Sequence, residues 1–221
     1  VTLTFVGSET LSSNAAGGKP ACAFTLSGSA ATNADTVANP SGNDWTCAFD
    51  LADADANAAV AFTITFDDAA GNAGTAVTAV SAGGGSVTLD DTVPTLTSVS
   101  IDSDNAETAA TAETATNGDT VTLTFAGSET LSAGAGKPAC AFTLSGSAAT
   151  NADTVTDTGS SNTWTCAFDL HNSDANAAVA FTITFDDLAG NAGTAVTSTS
   201  DSTSVTLDDA VPTLTSVSID S

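Results

Sequence analysis

TVTLTF, at Thr120–Phe125, is the segment from which the fold class is predicted. Its apolar side chains alternate with threonines, which is the pattern of a β-strand with one face in a core and the other in solvent. Six further segments complete the set of strands expected in this part of the chain: Leu96–Ile101, Cys140–Leu144, Ala152–Thr156, Trp164–Leu170, Val179–Phe185 and the broken stretch Thr194–Leu207. The pattern predicts an all-β protein built from short strands.

The chain is also an internal repeat. Val1–Leu11 (VTLTFVGSETL) returns at Val121–Leu131 as VTLTFAGSETL, and Pro94–Ser103 (PTLTSVSIDS) returns unchanged at Pro212–Ser221. The two offsets are 120 and 118 residues. Seven short strands in a unit of about 118 residues predict tandem immunoglobulin-like, antiparallel β-sandwiches.

The positions at which Pro94–Ser103 and its copy begin define the expected domains. Residues 1–93 are an immunoglobulin-like repeat lacking its first strand, 94–211 are a complete repeat, and 212–221 are the first strand of a following repeat. The sequence is then either a window from a longer array or a subunit whose tail completes another chain. In the second repeat, the 17 residues Asp104–Thr120 join the first strand to the next one. The equivalent residues are absent before Val1 and after Ser221, which favours the array. We expect the strand that completes the first repeat to carry a TLTSVSI-like sequence and to belong covalently to the same array.

Charge and composition narrow the class of protein. Among 221 residues there are 26 acidic and 2 basic side chains, a net charge of −24. This balance excludes a nucleic-acid binder, because no basic patch could neutralise phosphates. No apolar run approaches the roughly 20 residues of a membrane-spanning helix, so no membrane insertion is expected in this segment. Most of the acids are Asp, a residue common in turns and in sites for hard cations.

Two motifs carry a resemblance to a known family. FDDAAGNAGTAV at Phe66–Val77 and FDDLAGNAGTAV at Phe185–Val196 are each followed by LDDxVPT. These motifs resemble bacterial Ig-like tandem repeats, which occur in large extracellular adhesins and surface filament proteins. The resemblance covers nearly the whole chain. It implies a cell-surface location, neighbouring Ig-like repeats as partners, and calcium at the linkers; the two cysteines in each repeat are a departure from the family pattern.

The four cysteines fall on the inward-facing positions of their strands. They are either small buried apolar side chains or one disulfide within each repeat. Their occurrence in pairs, at separations of 25 and 26 residues, favours the disulfides Cys22–Cys47 and Cys140–Cys166. Disulfides imply an oxidising compartment.

Acidic side chains concentrate in the predicted loops. In an immunoglobulin-like topology the hairpin between the last two strands lies at the same end as the loop after the second strand, and the linker arrives there. The ligands expected at this joint are Asp186, Asp187, Asn191, Glu129, Asp90, Asp91, Asp53 and Asp55. The positions equivalent to these in the other repeat, together with the opposite end of the sandwich, add further expected ligands: Glu9, Asp67, Asp68, Asn72, Asp102, Asp104, Asp208 and Asp209.

Two explanations of these acids are open. Carboxylates that crowd together repel each other, and Ca²⁺, which takes six to eight oxygen ligands, relieves that repulsion. Alternatively, the acids only keep an extracellular chain soluble. We predict Ca²⁺ as the cofactor.

The sequence predicts no enzyme. The single histidine, His171, corresponds to Ala52 in the first repeat, so the repeats share no general base. We predict a structural spacer or stalk of an extracellular adhesin or surface filament, stiffened by calcium between its repeats. The alternatives are a self-assembling filament subunit that joins identical chains by strand exchange, and a carbohydrate-binding adhesin module. A carbohydrate-binding module needs a patch of exposed aromatic side chains or a loop specific to one repeat, whereas Trp45 and Trp164 fall on inward-facing positions.

Overall fold

Alternating apolar and threonine residues form strands in both repeats, and every regular element in the described part of the chain is a β-strand. The computed structural model describes residues 1–13, 20–26, 32–52, 55–81, 83–105, 111–134, 138–144, 150–160, 162–171 and 173–220. The predicted all-β class is confirmed. The chain divides into unit 1, Val1–Thr92, and unit 2, Val93–Ser221. The assignment of 212–221 to a following repeat stays a prediction.

Unit 1 is built from two antiparallel sheets. Its described strands are β1 (Thr2–Val6), β2 (Ala21–Leu26), β3 (Thr32–Asn33), β4 (Thr36–Ser41), β5 (Asp44–Ala48), β6 (Ala58–Thr65) and β7 (Thr88–Leu89). One sheet has the order β1-β5-β4 and the other has the order β3-β2-β6-β7. The inward-facing side chains of both sheets form one apolar core that includes Phe24, Cys47 and Ile64.

Unit 2 repeats this plan with additional strands. Its described strands are β8 (Leu96–Ser103), β9 (Ala112–Ala115), β10 (Thr120–Gly127), β11 (Ala139–Thr143), β12 (Thr150–Asn151), β13 (Thr154–Asp157), β14 (Thr163–Asp169), β15 (Ala180–Thr184) and β16 (Ser204–Leu207). One sheet has the order β13-β14-β10-β8, and the facing sheet contains β12-β11-β15. Hydrogen bonds of 2.9 Å from Val179 N to Val205 O and from Leu207 N to Ala177 O place β16 beside β15.

The strand order identifies the architecture. In unit 2, β8, β10, β14 and β13 take the positions of strands A, B, E and D, which form one sheet of an immunoglobulin domain. The facing sheet has β11, β15 and β16 at positions C, F and G. Unit 1 follows the same order from β1, at position B, onward, and none of its described strands occupies position A. Each unit is therefore an immunoglobulin-like sandwich.

A disulfide joins the two sheets of each unit. Cys22 on β2 is bonded to Cys47 on β5, and Cys140 on β11 to Cys166 on β14; the Cα atoms of each pair are 6.3 Å apart. Both predicted pairs are present, so these cysteines are not free thiols. The bonds connect positions C and E, whereas the disulfide of antibody domains connects B and F.

One strand pair departs from the expected antiparallel arrangement. β9 pairs with β16 in parallel, and it lies within Asp104–Thr120, where the sequence analysis expected only a connection. β9 has just two inward-facing residues, Glu113 and Ala115, so its alternation is too short to detect. Glu113 is only 8% exposed, and its Oε2 accepts a 2.7 Å hydrogen bond from Ser103 N. This bond satisfies a carboxylate that would otherwise be costly to bury.

Candidate functional site

The hairpin between positions F and G of unit 2 is organised by Asp187. Its Oδ1 accepts hydrogen bonds from the backbone N of Gly190 (2.7 Å) and Asn191 (2.8 Å), and its Oδ2 accepts one from Asn191 Nδ2 (2.8 Å). Gly190 has a φ of 97°, in the left-handed region that favours glycine. The carboxylate thus satisfies the backbone donors of a tight turn, which explains why the motif requires Asp, Gly and Asn together.

The hairpin of unit 1 repeats this arrangement. Asp68 accepts hydrogen bonds from the backbone N of Ala70 (2.8 Å) and Asn72 (2.8 Å), and from Asn72 Nδ2 (2.7 Å). The two carboxylates differ in burial, because Asp187 is only 2% exposed whereas Asp68 is half-buried.

Hydrogen bonding holds both carboxylates in the ionised form. Burial raises the pKa of Asp187, but hydrogen bonds from Asn191 and Gly190 outweigh burial and keep the pKa below its ordinary value of 3.8. The side-chain hydrogen bond from Asn72, followed by its backbone hydrogen bond, lowers the pKa of Asp68 in the same way. Each hairpin therefore presents a fixed negative charge at neutral pH.

The loop after β10 meets the hairpin of unit 2. Leu131 forms an isolated bridge with Asp187, and Ser132 N donates a 2.9 Å hydrogen bond to Asp186 O. A carboxylate oxygen of Glu129 lies within 4.8 Å of one of Asp187. The structure thus brings together residues from the two loops that the topology argument placed at one end of the sandwich. In unit 1 the corresponding bridge joins Leu11 to Asp68.

The first aspartate of each LDD motif closes a turn within its own unit. Asp90 Oδ1 accepts hydrogen bonds from Asn57 Nδ2 (3.3 Å) and Thr92 N (3.0 Å). Asn57 Oδ1 in turn accepts a hydrogen bond from Asp91 N at 3.0 Å. The corresponding contacts of unit 2 are from Asn176 Nδ2 (3.4 Å) and Ala210 N (2.9 Å) to Asp208 Oδ1. This Asn–Asp pairing was not predicted from the sequence, although both DAN and LDD occur once in each repeat.

The remaining predicted ligands accept backbone hydrogen bonds within their own unit or lie wholly or partly in solvent. Side chains of three acids accept backbone hydrogen bonds: Asp55 from Ala52 N (2.9 Å), Asp104 from Thr120 N (2.8 Å) and Asp209 from Asn117 N (2.7 Å). Asp102 and Glu9 are exposed, and Asp67 and Asp186 are half-buried. Asp53 lies outside the described residues. The convergence of acids from both repeats at one joint stays a prediction.

A second feature is an apolar groove along β1 of unit 1. Three cavities follow this strand, with volumes of about 510, 410 and 290 Å³. Their apolar walls include Leu3, Phe5, Phe62, Ile64, Val77 and Val80. The sequence predicts that the first repeat lacks its first strand, but it does not predict an open groove.

The chain has few recognisable relatives in sequence, and its structural similarities are weak. No protein-family model matches the chain, and no curated protein does. A solved complex of Dpr2 Ig1-Ig2 with DIP-Theta Ig1-Ig3 aligns over 95% of this chain and 90% of that chain, at 8% identity and a TM-score of 0.24. A TM-score this low carries no argument, so the fold assignment rests on the strand order. In the described part of the chain, no helix is long and apolar enough to span a membrane.

Proposed function

We propose that this chain is a structural spacer of an extracellular tandem-repeat protein, in which successive units give length to a stalk or filament. The observation that carries the proposal is the duplication of the same reinforcement in both units. Each has a disulfide between positions C and E, the same Asp–Asn hairpin, and a stacked phenylalanine pair with ring centroids 5.2 Å apart. A recognition module would instead concentrate differences between its copies in the binding loops.

Two properties support an extracellular, cell-surface setting. Disulfides form and persist in oxidising compartments, and both units contain one. The net charge of −24 makes neighbouring stalks repel each other and keeps them soluble. The partners that we propose are neighbouring Ig-like repeats of the same kind.

We further propose that the chain is not an enzyme and that carbohydrate binding is not its main role. His171 has no counterpart in unit 1, and its Nδ1 lies 2.8 Å from the carbonyl oxygen of Asp169, a contact local to its own loop. Trp45 and Trp164 are each only 4% exposed, so neither can stack against a sugar ring.

We propose that Ca²⁺ stiffens the array and binds at the hairpin end of each sandwich. Glu129 and Asp187 supply the first ligands in unit 2, because their carboxylate oxygens lie within 4.8 Å of each other. Two like charges at that distance repel, and a divalent cation with oxygen ligands converts the repulsion into attraction. The linker acids Asp90 and Asp91 are the ligands that the sequence pattern adds.

The spacer role is tested by pulling the two ends of the chain apart in a single-molecule force experiment. The 25-residue separation of Cys22 and Cys47 is locked by the disulfide, so those residues cannot extend when unit 1 unfolds. Reduction should add about 8–9 nm to the contour length of each unit, at roughly 3.3–3.6 Å per residue. Specific binding of a glycan to the loops of one unit and not the other would contradict the spacer role.

The calcium proposal is tested separately by thermal unfolding and small-angle scattering. Ca²⁺ should raise the melting temperature, and chelator should lower it and shorten the end-to-end distance, because a ligand that binds only the folded state stabilises it. Glu129→Gln should reduce the calcium-dependent shift, whereas Asp220→Asn, in the exposed tail, should not. Identical melting curves and dimensions with Ca²⁺ and with chelator would reject the calcium proposal and leave the spacer role standing.

A further inference from the structure

In unit 2, side chains close the edge of β8 that faces away from β10. Among the described strands, β8 is the last in its sheet, and every second residue of an antiparallel strand bonds to its neighbour. Three amides of the other edge each donate to a side-chain oxygen: Val99 N to Ser200 Oγ at 2.9 Å, Ile101 N to Thr203 Oγ1 at 2.9 Å, and Ser103 N to Glu113 Oε2 at 2.7 Å. These contacts satisfy donors that an edge strand otherwise leaves unpaired. We call residues 199–203 the latch segment.

Two hydroxyls of the latch segment are fixed in place by further hydrogen bonds. Thr203 Oγ1 accepts from Ile101 N and donates to Asp201 Oδ1 at 2.7 Å, and Asp201 Oδ1 also accepts from Thr203 N at 3.0 Å. The hydroxyl of Ser200 contacts both backbone groups of Val99, because it also donates to Val99 O at 3.2 Å. Ser200 N donates to the same carbonyl at 2.8 Å. The latch segment is therefore bonded to β8 through both its side chains and its backbone.

The strands that follow continue this contact. β9 pairs in parallel with β16, from Ala112 opposite Ser204 to Ala115 opposite Leu207. A backbone hydrogen bond of 2.8 Å from Ser204 N to Thr111 O precedes the pair, and its last residues are followed by one of 2.9 Å from Asp208 N to the carbonyl of β9. The chain thus enters unit 2 through β8 and β9, leaves it through the latch segment and β16, and bonds the entering strands to the leaving ones.

The direction of these strands determines how tension acts on them. The latch contacts advance in step along both segments, from Val99 with Ser200 to Ile101 with Thr203, so the two segments run the same way. The start of the entering strands and the end of the leaving strand therefore lie at opposite ends of the contact. Tension on the chain before and after unit 2 pulls the two sides in opposite directions along their axes. In this shear geometry the bonds are strained together, whereas strands pulled apart from one end lose their bonds one at a time.

We propose that the latch segment and β16 bear force together with β8 and β9, and that the sequence of the latch segment sets the mechanical strength of a repeat. The hydrogen bonds from Val99 and Ile101 to the latch hydroxyls are partly buried, so water competes poorly for them. The proposal rests on the spacer role only for the source of the tension. It does not depend on calcium.

The latch segment is a place where the two repeats differ in sequence. Unit 2 has Asp-Ser-Thr between Ser200 and Ser204, whereas unit 1 has Ala-Gly-Gly-Gly between Ser81 and Ser86. The residues that follow, VTLDD, are the same in both repeats. Alanine and glycine offer no side-chain oxygen, and glycine adds conformational freedom. We therefore expect a repeat with the Ala-Gly-Gly-Gly sequence to withstand less force than one with Asp-Ser-Thr.

Single-molecule pulling on the full, oxidised chain in chelator tests the proposal. Ser200→Ala with Thr203→Val removes both latch hydroxyls with little change in volume. Because forced unfolding is governed by the unfolding rate, the double variant should lower the peak unfolding force of unit 2 and leave that of unit 1 unchanged. Unit 2 is recognised by its larger gain in length, since it has more residues outside its disulfide loop. Replacing residues 201–203 by Ala-Gly-Gly-Gly should lower the force at least as much.

A matched control uses the two residues before the latch segment. Thr197 and Ser198 are exposed, and Thr197→Val with Ser198→Ala makes the same chemical changes as the latch variant. This control should unfold at the force of the unchanged chain. A latch variant whose unit 2 unfolds at the same force as the control overturns the proposal. The spacer test depends on the length released by reduction and not on force, so the two proposals can fail separately.

The direction of pulling separates a force-bearing contact from a general gain in stability. Asn117 N donates a 2.7 Å hydrogen bond to Asp209 Oδ1, so handles at these two residues pull from the same end of the β9–β16 pair. The pair should then open one bond at a time, at a lower force than through the entering and leaving chain, and the latch variant should change that force much less. An equal loss of force in both directions would mean that the hydroxyls only stabilise unit 2, and it overturns the proposal.

Discussion

Units 1 and 2 differ most at the strand in position B. Phe5 and Phe125 are equivalent residues on equivalent strands, and each lies opposite a tryptophan on the neighbouring strand. Phe125 is fully buried because β8 covers it, whereas Phe5 remains half-buried beside an open groove. The alternation of a strand therefore determines which side chains face inward, whereas their depth of burial also depends on a neighbouring strand that is not adjacent in sequence.

The largest expected effect tests this difference in burial. Phe125→Ala should destabilise unit 2 by about 3–5 kcal/mol, because it leaves a cavity in a closed core. Phe5→Ala should destabilise unit 1 by clearly less, since part of the phenylalanine surface is already in contact with water in the folded unit.

Urea unfolding monitored at both tryptophans measures the two effects, because Trp45 reports on unit 1 and Trp164 on unit 2. Phe24→Ala and Phe142→Ala serve as a matched control pair, since both phenylalanines are 1% exposed. These two substitutions should have similar costs. Equal costs for Phe5→Ala and Phe125→Ala would contradict the difference between the units.

The next largest effect is the loss of stability on removing a disulfide, and it should be similar in the two units. Removing a disulfide that closes a loop of about 25 residues costs roughly 3–4 kcal/mol in the chain-entropy model. Cys22→Ala with Cys47→Ala should therefore lower the stability of unit 1 by about as much as Cys140→Ala with Cys166→Ala lowers that of unit 2. Peptide mapping without reductant checks the pairing, and a link between Cys47 and Cys166 would refute it.

Under reducing conditions unit 1 should be less stable than unit 2. Both lose a similar contribution, but unit 1 starts from a less completely buried core. Limited proteolysis in reductant should therefore cleave residues of unit 1 first. Simultaneous cleavage of both units would show that coverage of the core by β8 contributes little to the stability of unit 2.

The fold could be predicted from sequence to the extent that its signals are local and repeated. The alternation in Thr120–Phe125 indicated a strand and its inward face, and the paired cysteines indicated one disulfide within each repeat. β9 was missed because its stability comes from parallel pairing with β16, about 90 residues later in the chain. Two inward-facing residues, one of them Glu113, cannot reveal a non-local partner.

The acidic side chains were harder to interpret. The sequence placed Glu129 and Asp187 at one end of the sandwich, and the structure brings them together. It did not reveal that Asp187, Asp90 and Asp208 accept hydrogen bonds from nearby donors. At the hairpin, an aspartate that closes a turn and one that binds a cation have the same sequence context, since Gly and Asn follow Asp187 and are common in both settings.

A smaller effect is expected from the hairpin aspartates, and it again differs between the units. Asp187→Ala should destabilise unit 2 by about 1–3 kcal/mol, because the substitution leaves the backbone donors of Gly190 and Asn191, whose hydrogen bonds to Asp187 are partly buried, without their acceptor. Asp68→Ala should cost less, since water can reach the corresponding donors of unit 1. Thermal unfolding of both variants, with Leu188→Ala as an exposed control in the same hairpin, measures the difference.

The smallest effect is the dependence of the stability of unit 2 on acid pH. The pKa of Asp187 in the folded chain lies below 3.8, because hydrogen bonds from Asn191 and Gly190 outweigh the cost of burial. As pH falls, the unfolded chain takes up this proton first. The contribution of the carboxylate is therefore fully present above pH 3.8 and is lost as pH falls through the lower, folded-state pKa.

Asp187→Asn isolates this contribution, because the amide does not titrate. The difference in free energy of unfolding between the unchanged chain and the variant should be constant above pH 3.8 and should shrink below it. Asn191→Ala removes the donor that lowers the pKa most, so it should move the acid transition to higher pH, whereas Leu188→Ala should leave the transition in place. A difference that grows as pH falls would mean that burial, and not hydrogen bonding, dominates at Asp187.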